Sequence, residues 1–442
     1  MPWGVADNEY FRNTILRPPN YAKRNTSPNR LSHVRIQRAA DIAKKQVSKI
    51  IGTPRPTDQL ERIIQWVKYI RTQARVIMVI VADRGKAFTI FETLNDRGLK
   101  LSQVDLLKNY LYGRAQQSNR LSEAAERWDS MVGAIEATGY GDLILDYIRH
   151  LWISYYGHVR VGDLYDRIRD KVKTPNNAIE FAGLLQDDTP HYLAILNPAH
   201  PHWNKYTDRT RKCVEIITVH LRIDRIRPLM LAIVRQMSPK DVERCFELCV
   251  SWTVRFLIVG GIGSGTIEKW YAEQAQRISD GKLSTPADLA KAMRKVAPPD
   301  EEFQSEFATA TVSRNYIARY YLRALELQYR KQDSILIPDD DSEKVNLEHV
   351  MPQNPGEDWT IDKVKARLLV KRIGNLALLD KTTNSNLKSE SFQAKREAYK
   401  DCPLELTSLI AKSTEWGEAE IIDRQEKLSE LAVKTWPMTV PA

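Results

Sequence analysis

The sequence predicts a mainly α fold, a helical body followed by a small C-terminal α+β unit. Three observations predict it. Apolar residues recur at helical spacing along most of the chain, and long strand-like alternation is scarce. After Lys344 the chemistry changes, and the order reads strand, loop, strand, helix. In the body, Leu60, Ile63, Ile64, Val67 and Ile70 form one helical stripe. Leu143, Leu145, Ile148 and Trp152 form a less regular one, and Cys245, Leu248, Cys249, Trp252, Phe256 and Leu257 a third. Breaks are expected at Pro18–Arg30, Gly52–Asp58, Gly260–Gly265 and Leu336–Lys344, where Pro, Gly and polar residues cluster. No fixed-period repeat or low-complexity segment occurs.

In the C-terminal unit, Val345 and Leu347 alternate into His349 as a short strand that Pro352 ends. Gly374-Asn375 turns into a second strand, Leu376 to Leu379. Thr382 to Leu387 reads as a polar turn, and Ser391 to Lys400 as a helix with Phe392 and Tyr399 placed to pack.

The 442 residues are 43% hydrophobic and 28% charged, which excludes a disordered chain, a collagen-like fibre and a disulfide-stapled miniature. Four cysteines (Cys213, Cys245, Cys249, Cys402) contain no Cys-x-x-Cys pair; Cys245 and Cys249, four apart in an apolar periodic stretch, are expected as buried helical thiols, which suits a reducing cytosol. The longest apolar run is Val76 to Ala82, far short of the ~20 residues a membrane helix needs. The opening residues lack the basic-then-apolar order of a secretory signal. The net charge of +10 is concentrated in two places, +7 over residues 1–50 and +6 over 361–400. A polyanionic partner is therefore expected, and the second cluster surrounds the residues that carry the chemistry.

Glu348 is a hard oxygen ligand suited to Mg²⁺ or Mn²⁺, and Asn384 offers a second, neutral oxygen. His349, with a reference pKa of ~6.5, takes a proton from water near neutrality. Asn375 is placed to hydrogen-bond that ring or its backbone. Lys388, Lys395 and Arg396 are candidates for gripping flanking phosphates. Adjacent residues of an ideal strand face opposite sides, so Glu348 and His349 serve one site only if the chain bends there.

The run Leu347-Glu348-His349-Val350-Met351-Pro352-Gln353-Asn354, followed by Ile373-Gly374-Asn375-Leu376-Ala377-Leu378-Leu379 and Asn384-Ser385, resembles the HNH (ββα-metal, His-Me finger) nuclease domain. It is most similar to the version that closes GmrSD-like restriction proteins. A late Phe392, Lys395 and Tyr399 fits the same pattern. The resemblance implies metal binding by Glu348 and Asn384, a general base at His349 and support by Asn375. Glu in place of the wider superfamily's Asp is usual in this branch, and Asn at the second metal position argues against a zinc-type site.

Ser102 to Asp105 forms a capping box opening a helix with Val104, Leu107 and Leu111 on one face, after a turn at Asn95-Asp96-Arg97-Gly98. Together with Phe91, Glu92, Leu94, Leu101 and Leu106, and with Asn8-Glu9-Tyr10-Phe11-Arg12, this resembles the ParB-like N-terminal domain of the same proteins. The usual domain also carries Tyr-Gln-Arg and Asp-Gly-Gln-Gln-Arg elements tied to nucleotide binding and hydrolysis. Neither occurs here, so no nucleotide-binding residue is expected, and the N-terminal part reads as the later portion of that domain.

The expected layout is a ParB-like remnant over 1–135, a helical spacer over 136–300 and an HNH-type nuclease domain over 301–442. The expected function is a cytoplasmic, Mg²⁺- or Mn²⁺-dependent DNA endonuclease of a modification-dependent or anti-phage restriction system. It would nick as a single unit or cut both strands as a homodimer, with a separate sensor subunit as a further partner and no membrane association. The alternatives are an inactive or partner-licensed DNA-binding protein, and an RNA nuclease. His200-Pro201-His202 fits no zinc pattern and reads as a solvated turn. Gly260 to Gly265 lacks a phosphate-loop ending and reads as a hinge. Tyr316, Tyr320 and Tyr321, with Arg314, Arg319 and Arg323, read as core before groove.

Overall fold

A computed structural model describes residues 5–18, 27–28, 31–52, 56–73 and 103–439, except 262, 337–343, 357 and 360. The chain divides into two compact units, residues 1–100 and 101–442. In the first, helix α1 (Val5–Tyr10) runs into a π-helical turn, Phe11–Leu16, and is followed by α2 (Leu31–Ile51) and α3 (Pro56–Gln73). Tyr10 stacks on His33 with ring centroids 3.9 Å apart, and Ser32 donates to Asp7 at 2.8 Å, which fixes α1 to α2. The stripe predicted over Leu60 to Ile70 is helical, in α3, but its residues are exposed. The Asn95–Gly98 turn and the residues from Phe91 to Ser102 lie outside the described residues.

The second unit holds α4 (Gln103–Gln116), α5 (Leu121–Ala137), α6 (Ile144–Tyr156), α7 (Leu164–Lys171), α8 (Pro175–Leu196), α9 (Asp208–Glu215), α10 (Arg227–Gln236) and α11 (Pro239–Val259). It continues with α12 (Ser264–Ser279), α13 (Pro286–Met293), α14 (Asp300–Phe307) and α15 (Asn315–Tyr329). Several starts are set by one local device. Thr174, Ser238 and Thr285 each accept from a backbone N–H three residues on, and each precedes a proline at the first helical position. The stripe from Cys245 to Phe256, with Cys249, is buried in α11, and Cys213 is buried in α9; all three cysteines are free thiols. Tyr320 and Tyr321 are core residues, as the pattern predicts. No helix among the described residues is long and apolar enough to cross a membrane.

The C-terminal segment adds β1 (Val345–His349), α16 (Lys363–Leu369), β2 (Leu376–Asp380), α17 (Lys381–Leu387), α18 (Phe392–Lys400), α19 (Glu405–Ser408) and α20 (Glu418–Thr435). The two strands pair antiparallel with Glu348 opposite Ala377 and His349 opposite Leu376. The fold is thus mainly α with one small α+β unit. Two details depart from the sequence reading. The stretch expected as a polar turn is helix α17, because Asp380 caps it by accepting from Thr383 N at 2.9 Å. Helix α16, unforeseen, starts at an equivalent Asp362 cap.

Helix α20 locks both halves of this unit. Arg424 donates through Nη1 to the carbonyls of Ile373, Gly374 and Leu376, and Gln425 accepts from Gly374 N and Arg372 Nε. Just beyond it, Trp436 packs among Phe303, Phe307, Tyr320 and Tyr321. Its carbonyl accepts from the fully buried Arg255 of α11 at 2.8 Å, and that guanidinium also bonds Pro298 O and Asp300. The spacer helices and the α+β unit therefore share one interior.

The glycine of the Gly-Asn turn is required by this packing. A Cβ at Gly374 would sit 2.2 Å from Ile421 O and 2.8 Å from Gln425 Cβ. Gly374→Ala should therefore lower stability by about 1–3 kcal/mol, the usual cost of overpacking. An unchanged urea midpoint for this variant would show that α20 does not press on the turn as described.

Candidate functional site

Strand alternation turns Glu348 inward and His349 to the other face. Glu348 is 4% exposed, and its Oε1 accepts from Lys395 Nζ at 2.6 Å and from Tyr399 Oη at 2.8 Å. Lys395 and Tyr399 are four apart on α18, so one helix face presents both donors. Burial, then the facing Glu348 charge, push the Tyr399 hydroxyl far up, so it remains a donor. Burial lowers the Lys395 ammonium while Glu348 pulls it back.

Lys395 Nζ also donates to His349 O at 2.8 Å, and Asn384 Nδ2 donates to Leu347 O at 3.2 Å. Among the described residues, strand β1 pairs with β2 alone. Helices α17 and α18 thus supply to β1 the donors that a third strand would otherwise give.

The strand continues through His349, and the bend follows at Val350 and Met351. Asn375, fully buried, clamps that bend. Its carbonyl accepts from Val350 N (3.0 Å) and its Oδ1 from Met351 N (2.8 Å) and Trp416 Nε1 (3.1 Å). Its Nδ2 donates to Met351 O and Val370 O. The expected support of His349 is therefore delivered to the backbone after it; the ring's neighbour is Gln353, with nitrogens 3.3 Å apart. Burial first, then the charges of Lys395 and Lys371, push His349 down to about 4. The imidazole is neutral at pH 7, as a general base must be.

The candidate phosphate grips fare differently. Lys388 is exposed, and Arg396 is half-buried with Nε donating to Ala411 O. Lys395 is fully buried, so a grip on flanking phosphates does not describe it; its charge is held by Glu348 and His349 O. Tyr399, Gln353 and Lys371 were absent from the expected site set, although the four-residue spacing of Lys395 and Tyr399 already placed them together.

Both bonds to Glu348 end on Oε1, and Asn384 uses Nδ2 on the strand, which turns its Oδ1 away. A carboxylate and a carboxamide are donors suited to a hard divalent ion, but the bend expected at Glu348 and His349 comes one residue later, so the two side chains face opposite sides and the Glu348 charge is met by Lys395 and Tyr399. Among the described residues no group of three or more His, Cys, Asp or Glu is placed to hold a metal. His202, read as part of a solvated turn, is half-buried against Trp203, Tyr206 and His191.

The unit is thus a two-stranded hairpin backed by a helix, with a neutral histidine at the strand end and a buried carboxylate next to it. Residues 297–431 match the family described as GmrSD restriction endonucleases, C-terminal domain, and residues 5–112 the GmrSD restriction endonuclease N-terminal domain. With both ends matched in order, the chain belongs to the GmrSD-like restriction endonuclease family. No curated protein matches it.

Lys395→Met leaves Glu348 with an uncompensated buried charge and should cost about 3–5 kcal/mol. The double variant Glu348→Leu/Lys395→Met should recover most of that loss, since it removes the charge pair together. Denaturant midpoints of the wild type, both single variants and the double variant measure this. Additive losses across that cycle would mean that the two side chains are not coupled.

Proposed function

We propose that the chain is a metal-dependent DNA endonuclease of the HNH type, working in a bacterial restriction system directed at modified or phage DNA. The observation that carries the reading is the neutral His349 at the end of a strand whose preceding residue, Glu348, is held by Lys395 and Tyr399. In this reading residues 1–135 are the ParB-like part, 136–300 the spacer and 301–442 the nuclease domain, in a cytoplasmic protein.

His349 takes a proton from water, whose oxygen attacks phosphorus in line. The bond from phosphorus to the 3′-oxygen breaks, and that oxygen leaves and takes a proton from solvent. Glu348 and Asn384 would hold Mg²⁺ or Mn²⁺, which when bound neutralises charge on the phosphate and on the leaving oxygen. Asn375 fixes the bend that follows His349 and so the direction of the strand end. Lys388 and Arg396 lie on the segment that would meet flanking phosphates. One such unit cuts one strand, so a nick is the product of a monomer and a double-strand break that of a homodimer.

One observation favours a second reading. The ammonium of Lys395 sits on Glu348 at 2.6 Å. Such an arrangement suits a DNA-binding protein whose cleavage waits for a partner, such as a separate sensor subunit.

The purified chain should convert supercoiled plasmid to open circle with Mg²⁺ or Mn²⁺, and EDTA or His349→Ala should abolish that. Plasmid nicking that survives both treatments removes the mechanism. A salt-sensitive gel shift without cleavage across metals supports the second reading, and preferential loss of RNA in a parallel digest supports an RNA nuclease. Because His349 titrates near 4, below its ordinary 6.5, the base stays available as pH falls through 6 and 5. The acid limb of the cleavage rate should lie near pH 4; a limb at 6.5 would contradict the burial of the ring.

A further inference from the structure

The backbone from Lys371 to Leu376 has two neighbours. On one side, Leu376 lies opposite His349 in the hairpin register. On the other, Lys371 O accepts from Val312 N at 2.9 Å, Thr311 bridges Arg372, and Ile373 N reaches Ala310 O. The strip on that far side, Thr309 to Arg314, lines a cavity of about 550 Å³. One short stretch of backbone therefore separates this cavity from the candidate base. Lys371 Nζ, one of the charges that acts on His349, lies 3.4 Å from Ser313 Oγ in the cavity wall.

The lining divides by chemistry. Leu257 and Ile258, accessible where α11 ends, give an apolar wall, backed by the buried Ile317 and Tyr321 of α15. Thr311 and Ser313 give hydroxyls, Glu306 a carboxylate and Arg314 a guanidinium. A volume in the range of small-molecule sites, with a mixed lining that is more polar than apolar, suits one ligand of nucleotide size. A base needs a flat apolar surface and partners for its polar edge, and its phosphate needs a cation. The wall, the hydroxyls with the carboxylate, and Arg314 supply these in that order.

We propose that this cavity receives a single nucleotide of the DNA strand, turned out of the base stack, beside the bond that is cut. The proposal rests on the nuclease reading above and adds the part of the substrate that enters the protein. It also gives a reason for the α11 apolar stripe to end at an exposed Leu257, which is 37% accessible and faces the cavity instead of the core.

The test uses the full chain and the four deoxynucleoside 5′-monophosphates, with saturation-transfer NMR as the readout. Saturation should reach the base protons of at least one of them. Ile258→Trp, which fills the cavity from a half-exposed wall, should remove the transfer with an unchanged melting temperature. Arg314→Ala, at an exposed position, should weaken binding roughly tenfold, the worth of a hydrogen bond to a charged group. His349→Ala should leave binding intact. No transfer to any of the four, or full transfer in both cavity variants, overturns the proposal. Plasmid cleavage by the wild-type chain tests the nuclease reading separately. A chain that cleaves but binds no nucleotide loses the cavity alone, and one that binds but never cleaves loses the catalytic reading.

Discussion

A lysine ammonium without water must be satisfied completely, and Lys395 shows what that demand builds. Its Nζ reaches the Glu348 carboxylate and the His349 carbonyl, tying helix α18 directly to the strand. Removing both charges from water is costly, so the pair holds only while its geometry is kept. A hairpin of two strands has little stability alone. Here one strand edge is completed by Asn384 and Lys395, and the carboxylate face is closed by Tyr399. The fold of the hairpin and the setting of its candidate base are thus secured together: burial keeps the neighbouring imidazole unprotonated, and the Lys395 charge that steadies Glu348 adds to it.

A second layer works through backbone. Asn375 uses its carbonyl, its amide oxygen and its amide nitrogen on the bend after His349 and on Val370. Gly374 lets α20 approach, and Arg424 and Gln425 hold the turn from that helix. Burial brings the Arg424 guanidinium down to about 10, still charged at neutral pH, so its bonds to three carbonyls are charge-assisted. Through Trp436 and Arg255 the same helix is continuous with the spacer interior.

Much of this was legible in the residues. The strand, turn, strand and helix order followed from alternation, Pro352, Gly374 and the spacing of Phe392 and Tyr399, each a local signal. The helical stripes followed from periodicity, although the one in α3 is exposed where a buried face was the simpler expectation. The missed parts are those that depend on partners distant in sequence. Lys395 looked like a surface cation because its partner lies 47 residues earlier. Asn375 looked like a ring partner because one sequence cannot show which backbone a carboxamide reaches. Helix α17 was read as a turn because Asn, Ser and Thr weigh against helices, while the Asp380 cap and packing against the hairpin outweigh them.

The order of the elements along the polypeptide has a consequence for synthesis. Residues 418–436 are translated after both strands and after the helix bearing Lys395, yet they supply the groove for Gly374 and the guanidinium on its carbonyls. While that helix is still inside the ribosome, the hairpin lacks its buttress and the aromatic nest around Trp436 stands open. A nascent chain therefore cannot carry a finished site until residues 418–436 have emerged and docked.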